Sequence, residues 1–156
     1  MKARLFLISC LLLVSLPFPA ALAEDAYSKY PRIKVLATTY TTEHWSNQGR
    51  YRIVSKGGKR LGNFVALNFL PGGSIVMIPE LFKTTKLEVA DTFGGSGAGY
   101  YKGKKYWKVD ILRNRGEWID DYDHPLDLYI VKINNNGKFK NQAVKKNYQA
   151  VLESLK

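Results

Sequence analysis

Cysteine is nearly absent from this chain. Among 156 residues there is one, Cys10, with two histidines, His44 and His124, and two methionines. A single thiol cannot build a disulfide framework, and two histidines far apart in sequence are a poor supply for a metal site. Acids are also scarce, 13 against 24 lysines and arginines, giving a formal net charge of +11. Long apolar runs are missing except at the N-terminus, over residues 5–16. That run is too short for a membrane span, and prolines follow it closely. With Lys2 and Arg4 before it and Ala20-Ala21-Leu22-Ala23 after it, it has the three parts of a secretory signal. Leu7-Ile8-Ser9-Cys10 resembles a lipid-attachment box, but cutting before Cys10 would leave too little chain ahead of the cut to act as a signal.

The expectation is therefore a signal peptide over 1–23, export to the periplasm or beyond, and a chain starting at Glu24 that has lost its only cysteine. Removing Lys2 and Arg4 lowers the charge from +11 to +9. So basic an exported domain suits an anionic partner, although solubility alone would explain the charge equally well.

What remains has the length of one domain, with neither internal repeats nor low-complexity tracts. Short runs rich in β-branched and aromatic residues fall at 33–40, 51–54, 64–69, 74–78, 86–90, 107–112 and 126–133. Clusters of glycine, proline or asparagine separate most of them. This pattern predicts a closed or sandwiched mainly-β domain. The last segment differs. Val144, Tyr148, Val151, Leu152 and Leu155 recur at helical spacing, which predicts an amphipathic helix over about 142–155 with Asn141 as its cap. Docking onto the β domain as a brace is its expected role.

Because acids are few, their positions carry information. Asp91 ends an apolar run and is followed by Thr92, Phe93 and then glycines. It reads either as a turn residue or as a carboxylate at the mouth of a groove. Asp110 lies inside a predicted strand, where alternation sets Val109 and Ile111 on one face and Asp110 on the other with Lys108 and Leu112. A carboxylate there is either a solvated acid with a cationic neighbour or a functional group. Two carboxylates brought together would supply a proton donor and a neighbour to tune it, as glycosidic cleavage requires. Tyr40, Trp45, Tyr51, Tyr100, Tyr101, Tyr106 and Trp107 are the aromatics nearest these segments, although most rings in a small β domain are core. The glycine run at 94–99 lacks the Gly-Lys-Ser/Thr ending of a phosphate loop. Asp120-Asp121-Tyr122-Asp123 lacks the spacing and closing Glu of a calcium loop, and reads as a turn.

Three segments in order are similar to a known family: Ala37-Thr38-Thr39-Tyr40-Thr41-Thr42-Glu43-His44-Trp45, then residues 65–79 (VALNFLPGGSIVMIP), then Val89-Ala90-Asp91-Thr92 followed by Val109-Asp110-Ile111. Together they resemble the three-aspartate (3D) domain of bacterial cell-wall proteins, related to membrane-bound lytic transglycosylase A. The resemblance implies a six-stranded double-psi β-barrel over 35–133, after an extension at 24–34 and before a linker and helix at 134–156. It implies Asp110 as the catalytic acid/base and Asp91 as its support, with Tyr40, Thr41, Glu43 and Asn68 lining a groove for peptidoglycan strands. It implies no cofactor, and from the residue supply and the short apolar run above no metal, no nucleic acid and no membrane anchor are expected. Asn68 stands where the family has its first aspartate, and the stretch from Gly99 to Lys105 reads as an inserted loop able to act as a lid.

Overall fold

The computed structural model of the chain describes residues 26–42, 49–92, 94–114, 117 and 124–156. The expected signal peptide, Glu43, Trp45 and the acidic stretch at 120–123 lie outside them. The fold is mainly β. In chain order its elements are β1 (Arg32–Thr41), β2 (Ser55–Lys56), β3 (Lys59–Arg60), β4 (Phe64–Leu67), β5 (Ile75–Met77), α1 (Pro79–Phe82), β6 (Leu87–Asp91), β7 (Ala98–Tyr101), β8 (Lys104–Arg113), β9 (Leu126–Lys132) and α2 (Gln142–Ser154).

Six strands close into a mixed barrel in the order β1, β9, β5, β6, β4, β8, with β8 returning to β1. The closing contact is parallel and long, from Val35 opposite Trp107 to Thr41 opposite Arg113. The β4–β6 pair is also parallel, and the other four junctions are antiparallel. Closure leaves the barrel strands without an open edge.

The interior is filled by one face of each strand. Val35, Val65, Leu67, Val76, Leu87, Val89, Val109, Ile111, Leu128 and Ile130 form one buried cluster with Phe69, Leu70 and Ile78. Complete burial of each such side chain is worth about 1.5–3 kcal/mol, so this face sets the register. A smaller cluster of Val54, Phe64, Ala90 and Leu112 sits on the other face, with Tyr40 packed against it.

The C-terminal helix forms as its pattern predicts. Asn141 Oδ1 accepts the Val144 N–H at 3.0 Å, and Val144 and Val151 are buried. Asn147 Nδ2 donates to Asn68 O at 2.9 Å and to Ser96 O at 3.2 Å, tying the helix to the barrel and to the glycine-rich loop.

Two local expectations need correction. Residues 51–54 form bends and an isolated bridge rather than a strand. Tyr51 N–H donates to Ala90 O and Val54 O accepts from Leu61 N–H, so their hydrogen bonds go to separate partners instead of one ladder. The stretch from Gly99 to Lys105 is not a loose loop but most of a β7–β8 hairpin, paired from Ala98 opposite Trp107 to Tyr101 opposite Lys104. Lys102 and Gly103, both at positive φ (48° and 75°), make the tight turn whose twist suits a two-residue hairpin.

Candidate functional site

Strand alternation on β8 faces Val109 and Ile111 inward, both essentially fully buried, and leaves Asp110 partly exposed on the outer face. In register, Asp110 lies opposite Thr38 on β1 and Ala66 on β4. Thr38 Oγ1 donates to Asp110 Oδ1 at 3.0 Å. This threonine shares a strand face with Tyr40, two residues on, and nothing in the sequence marked it, because its contact with Asp110 depends on the β1–β8 pairing.

Asp91 reaches the same face through an irregularity. On β6, Leu87 and Val89 point into the core, so plain alternation would send Asp91 inward after them. Instead Val65 pairs with Val89 and Ala66 with Asp91, leaving Ala90 as an extra residue on β6. A bulge of this kind re-aims the side chain that follows it. Ala66 thus lies between the two acids, opposite Asp110 on one side and Asp91 on the other. Two interstrand spacings put their Cα atoms about 10 Å apart, with a methyl group between them.

The two carboxylates are held differently. Asp91 Oδ1 accepts main-chain N–H groups from Arg50 at 2.6 Å and Thr92 at 2.7 Å. Its Oδ2 has no hydrogen-bond partner among the described residues. Nothing in the sequence marked Arg50. Its neighbour Gly49 gives a partial signal, since a Cβ there would meet Ala90 O at 2.7 Å and Asp91 Cβ at 3.2 Å.

Tyr40 reports on both acids at once. Its hydroxyl is buried and finds no hydrogen-bond partner among the described residues. Burial first, then the charges of Asp91 and Asp110, push its pKa far above the ordinary tyrosine value. Tyr40 therefore stays protonated, a hydroxyl dipole within the field of both carboxylates. Tyr51 is also raised, by burial first and then by Asp91, against lowering contributions from the Lys140 main chain and Arg50.

The remaining sequence candidates lie elsewhere. Thr41 is buried at 1% exposure. Asn68 is buried at 2% beneath the glycine loop, where its Nδ2 donates to Gly95 O at 3.3 Å. The aromatic residues do not form one cluster. Trp107 packs on Phe69 with ring centroids 5.5 Å apart, Tyr51 covers Gly72, and Tyr100, Tyr101 and Tyr106 belong to the β7–β8 hairpin.

The glycines after Asp91 have a packing reason. Gly97 has φ +75°, and a Cβ on it would lie 2.4 Å from Asn68 Cβ. Its carbonyl accepts the Lys108 N–H at 2.9 Å, two residues before Asp110. Next to Asp91, on the far side of Arg50, opens a cavity of about 460 Å³ lined by Arg50, Tyr51, Arg52, Glu88, Asn134 and Lys138, among others.

Chemically, the outer face offers two fixed carboxylates with a buried, protonated phenol among them, and paired acids are the equipment of acid–base work on a substrate laid across the strands. No protein family, curated protein or solved structure matches the chain.

Proposed function

We propose that this protein is a peptidoglycan-cleaving lytic transglycosylase of the three-aspartate type, exported to the periplasm or beyond. Asp110, protonated, donates to the glycosidic oxygen between N-acetylmuramic acid and N-acetylglucosamine as positive charge builds at the anomeric carbon. The same carboxylate, now ionised, takes the proton from the muramic C6 hydroxyl, whose oxygen closes onto that carbon. The glycosidic bond breaks, a 1,6-anhydro sugar forms and no water is consumed. Asp91, fixed by the Arg50 and Thr92 amides, positions the sugar and sets the field around Asp110.

The observation that carries this reading is the register of Ala66, opposite Asp110 on one side and Asp91 on the other, with Tyr40 packed on the same face of the sheet. It supports a common site for Asp91 and Asp110, which lie 19 positions apart in the chain and two strands apart in the barrel. Strand count and closure agree with what the family resemblance implies. Asn68, where the family has an aspartate, is buried under the glycine loop, so its neutrality takes no charge from the exposed face.

The test is direct. The purified protein is incubated with peptidoglycan and the products are examined by mass spectrometry for anhydro-muropeptides, with Asp110→Asn in parallel. Anhydro product from the wild type alone supports the mechanism. Absence of product from both, with both still sedimenting with the wall, replaces the enzyme by a non-catalytic glycan-binding module on the same barrel.

A further inference from the structure

The cavity next to Asp91 has a composition that the acid–base chemistry does not use. Its floor is main chain pinned by main-chain and side-chain hydrogen bonds. Gly72 N–H donates to Lys138 O at 3.1 Å, Gly137 N–H to Asn134 O at 2.8 Å, and Asn134 Nδ2 to Gly72 O at 2.9 Å. Asn134 N–H is held by Ser74 Oγ at 3.1 Å, and Gly73 N–H by Val89 O at 2.8 Å. One wall is the Tyr51 ring, set so close to Gly72 that a Cβ there would lie 2.4 Å from the ring. The cavity is therefore preformed, and its size of about 460 Å³ is that of a small-ligand site.

Because these backbone donors are already engaged, recognition falls to side chains. Arg52 is committed, with its guanidinium nitrogen Nη1 3.0 and 2.8 Å from the two oxygens of Glu88. Arg50 and Lys138 also line the cavity, and the charged group of neither has a hydrogen-bond or ion-pair partner among the described residues. With Arg52 and Glu88 paired, two further basic residues line one concave space. Arg50 also links this space to the acids, since its own N–H holds Asp91.

We infer that this cavity is a carboxylate-binding subsite, in which Arg50 and Lys138 hold an acidic group carried by the substrate beside the bond-breaking face. Resting on the function proposed above, the carboxylate is one from the peptide stems of peptidoglycan, whose position would set the register of the glycan strand over Asp91 and Asp110. The forked guanidinium of Arg50 suits a planar carboxylate, and Lys138 adds a point charge.

The experiment is an amide-resolved NMR titration of the purified protein with N-acetylglutamate, with inorganic phosphate, and with muropeptides whose stem carboxylates are free or amidated. The same series is run on Arg50→Gln/Lys138→Gln, two exposed residues whose loss leaves the spectrum of a folded barrel. Expected are shifts at Gly72, Gly73 and Gly137 with N-acetylglutamate and with free-stem muropeptides. Binding should weaken roughly three- to tenfold in the double variant, as for exposed charge pairs, and similarly on amidation. Carboxylates that leave those three amides unmoved, or phosphate binding alone, overturn the subsite. So does equal affinity for free and amidated stems in wild type and double variant. The two readings fail separately. If wild-type protein yields no anhydro product while N-acetylglutamate still titrates these amides, the lytic reading falls and the carboxylate site stands. If it cleaves and the double variant binds unchanged, the reverse holds.

Discussion

Three glycines in the loop after Asp91 should respond to alanine very differently, and the ordering tests how that loop is built. Gly94 has no positive φ, and an added Cβ there meets nothing within 4 Å. Gly94→Ala should be neutral or slightly stabilising, by about 0.4–1 kcal/mol, because alanine narrows only the unfolded ensemble. Gly95 has φ +75° in open space. Its alanine variant carries only the left-handed backbone cost, about 1–2 kcal/mol. Gly97 has the same φ and in addition places a Cβ 2.4 Å from Asn68 Cβ.

That neighbour cannot easily retreat. Asn68 is 2% exposed, and its carbonyl is held by the helix residue Asn147 at 2.9 Å. Overpacking of this sort adds about 1–3 kcal/mol, so Gly97→Ala should lose about 2–5 kcal/mol in total. Urea unfolding followed by tryptophan fluorescence measures all three, with Trp107 on Phe69 as a reporter next to Asn68. A constant denaturant slope would confirm that stability, rather than the compactness of either state, has changed. Equal effects at the three positions would refute the packing account and restore the loop to a hinge of interchangeable glycines.

Removing the Tyr40 hydroxyl should affect stability and activity in opposite ways. Since that oxygen is buried without a partner among the described residues, Tyr40→Phe should unfold at the same or slightly higher denaturant concentration, while anhydro-product formation falls. Folded protein holds the Tyr40 proton more tightly than unfolded chain, so this stability is complete below the ordinary tyrosine value of about 10 and is lost as pH rises above it. Wild type should lose up to about 1.4 kcal/mol per pH unit more than Tyr40→Phe in that alkaline range; parallel curves would contradict the shift. Asn147→Ala should cost about 1–2 kcal/mol in thermal unfolding, having removed donors to Asn68 O and Ser96 O. No change would mean that the helix does not brace the glycine loop.

The elements best read from sequence are those where local preference and burial agree. On β8 the Val109, Asp110, Ile111 alternation gave the face of each residue correctly, and the α2 stripe and Asn141 cap gave the helix. Reading failed where long-range pairing overrides composition. Ala98 and Gly99 have weak strand propensity, yet they pair with Trp107 and Tyr106 because the Lys102-Gly103 turn brings them alongside. Tyr51 and Ile53 look like strand residues, yet the donor and acceptor at 51 and 54 serve Ala90 and Leu61. The direction of Asp91 was the least legible feature. It depends on Ala90 being skipped in the β4–β6 register, and a one-residue slip moves a side chain to the opposite face without altering the hydrophobic pattern before it.

The physical character of the site also bears on whether a barrel of this kind cleaves or merely binds. A module that only holds sugar gains most from rings open to solvent, on which pyranose faces can lie. Among the described residues the large exposed apolar side chains are Ile53, Leu61 and Tyr100, and Tyr100 belongs to the hairpin beyond the barrel. Near Asp91 and Asp110 the described rings of Tyr40 and Tyr51 are instead partly buried against protein. Tyr40 packs against Leu112 and Phe64, and Tyr51 covers a glycine. What lies on the outer face is charge held by hydrogen bonds, Asp91 on two amides and Asp110 on Thr38. Charges fixed in advance favour a charged transition state over a neutral ground state, because little reorganisation is then needed when charge develops. This arrangement fits a site for bond breaking better than a platform for holding. It also predicts that replacing Asp110 by asparagine will reduce product formation far more than wall binding.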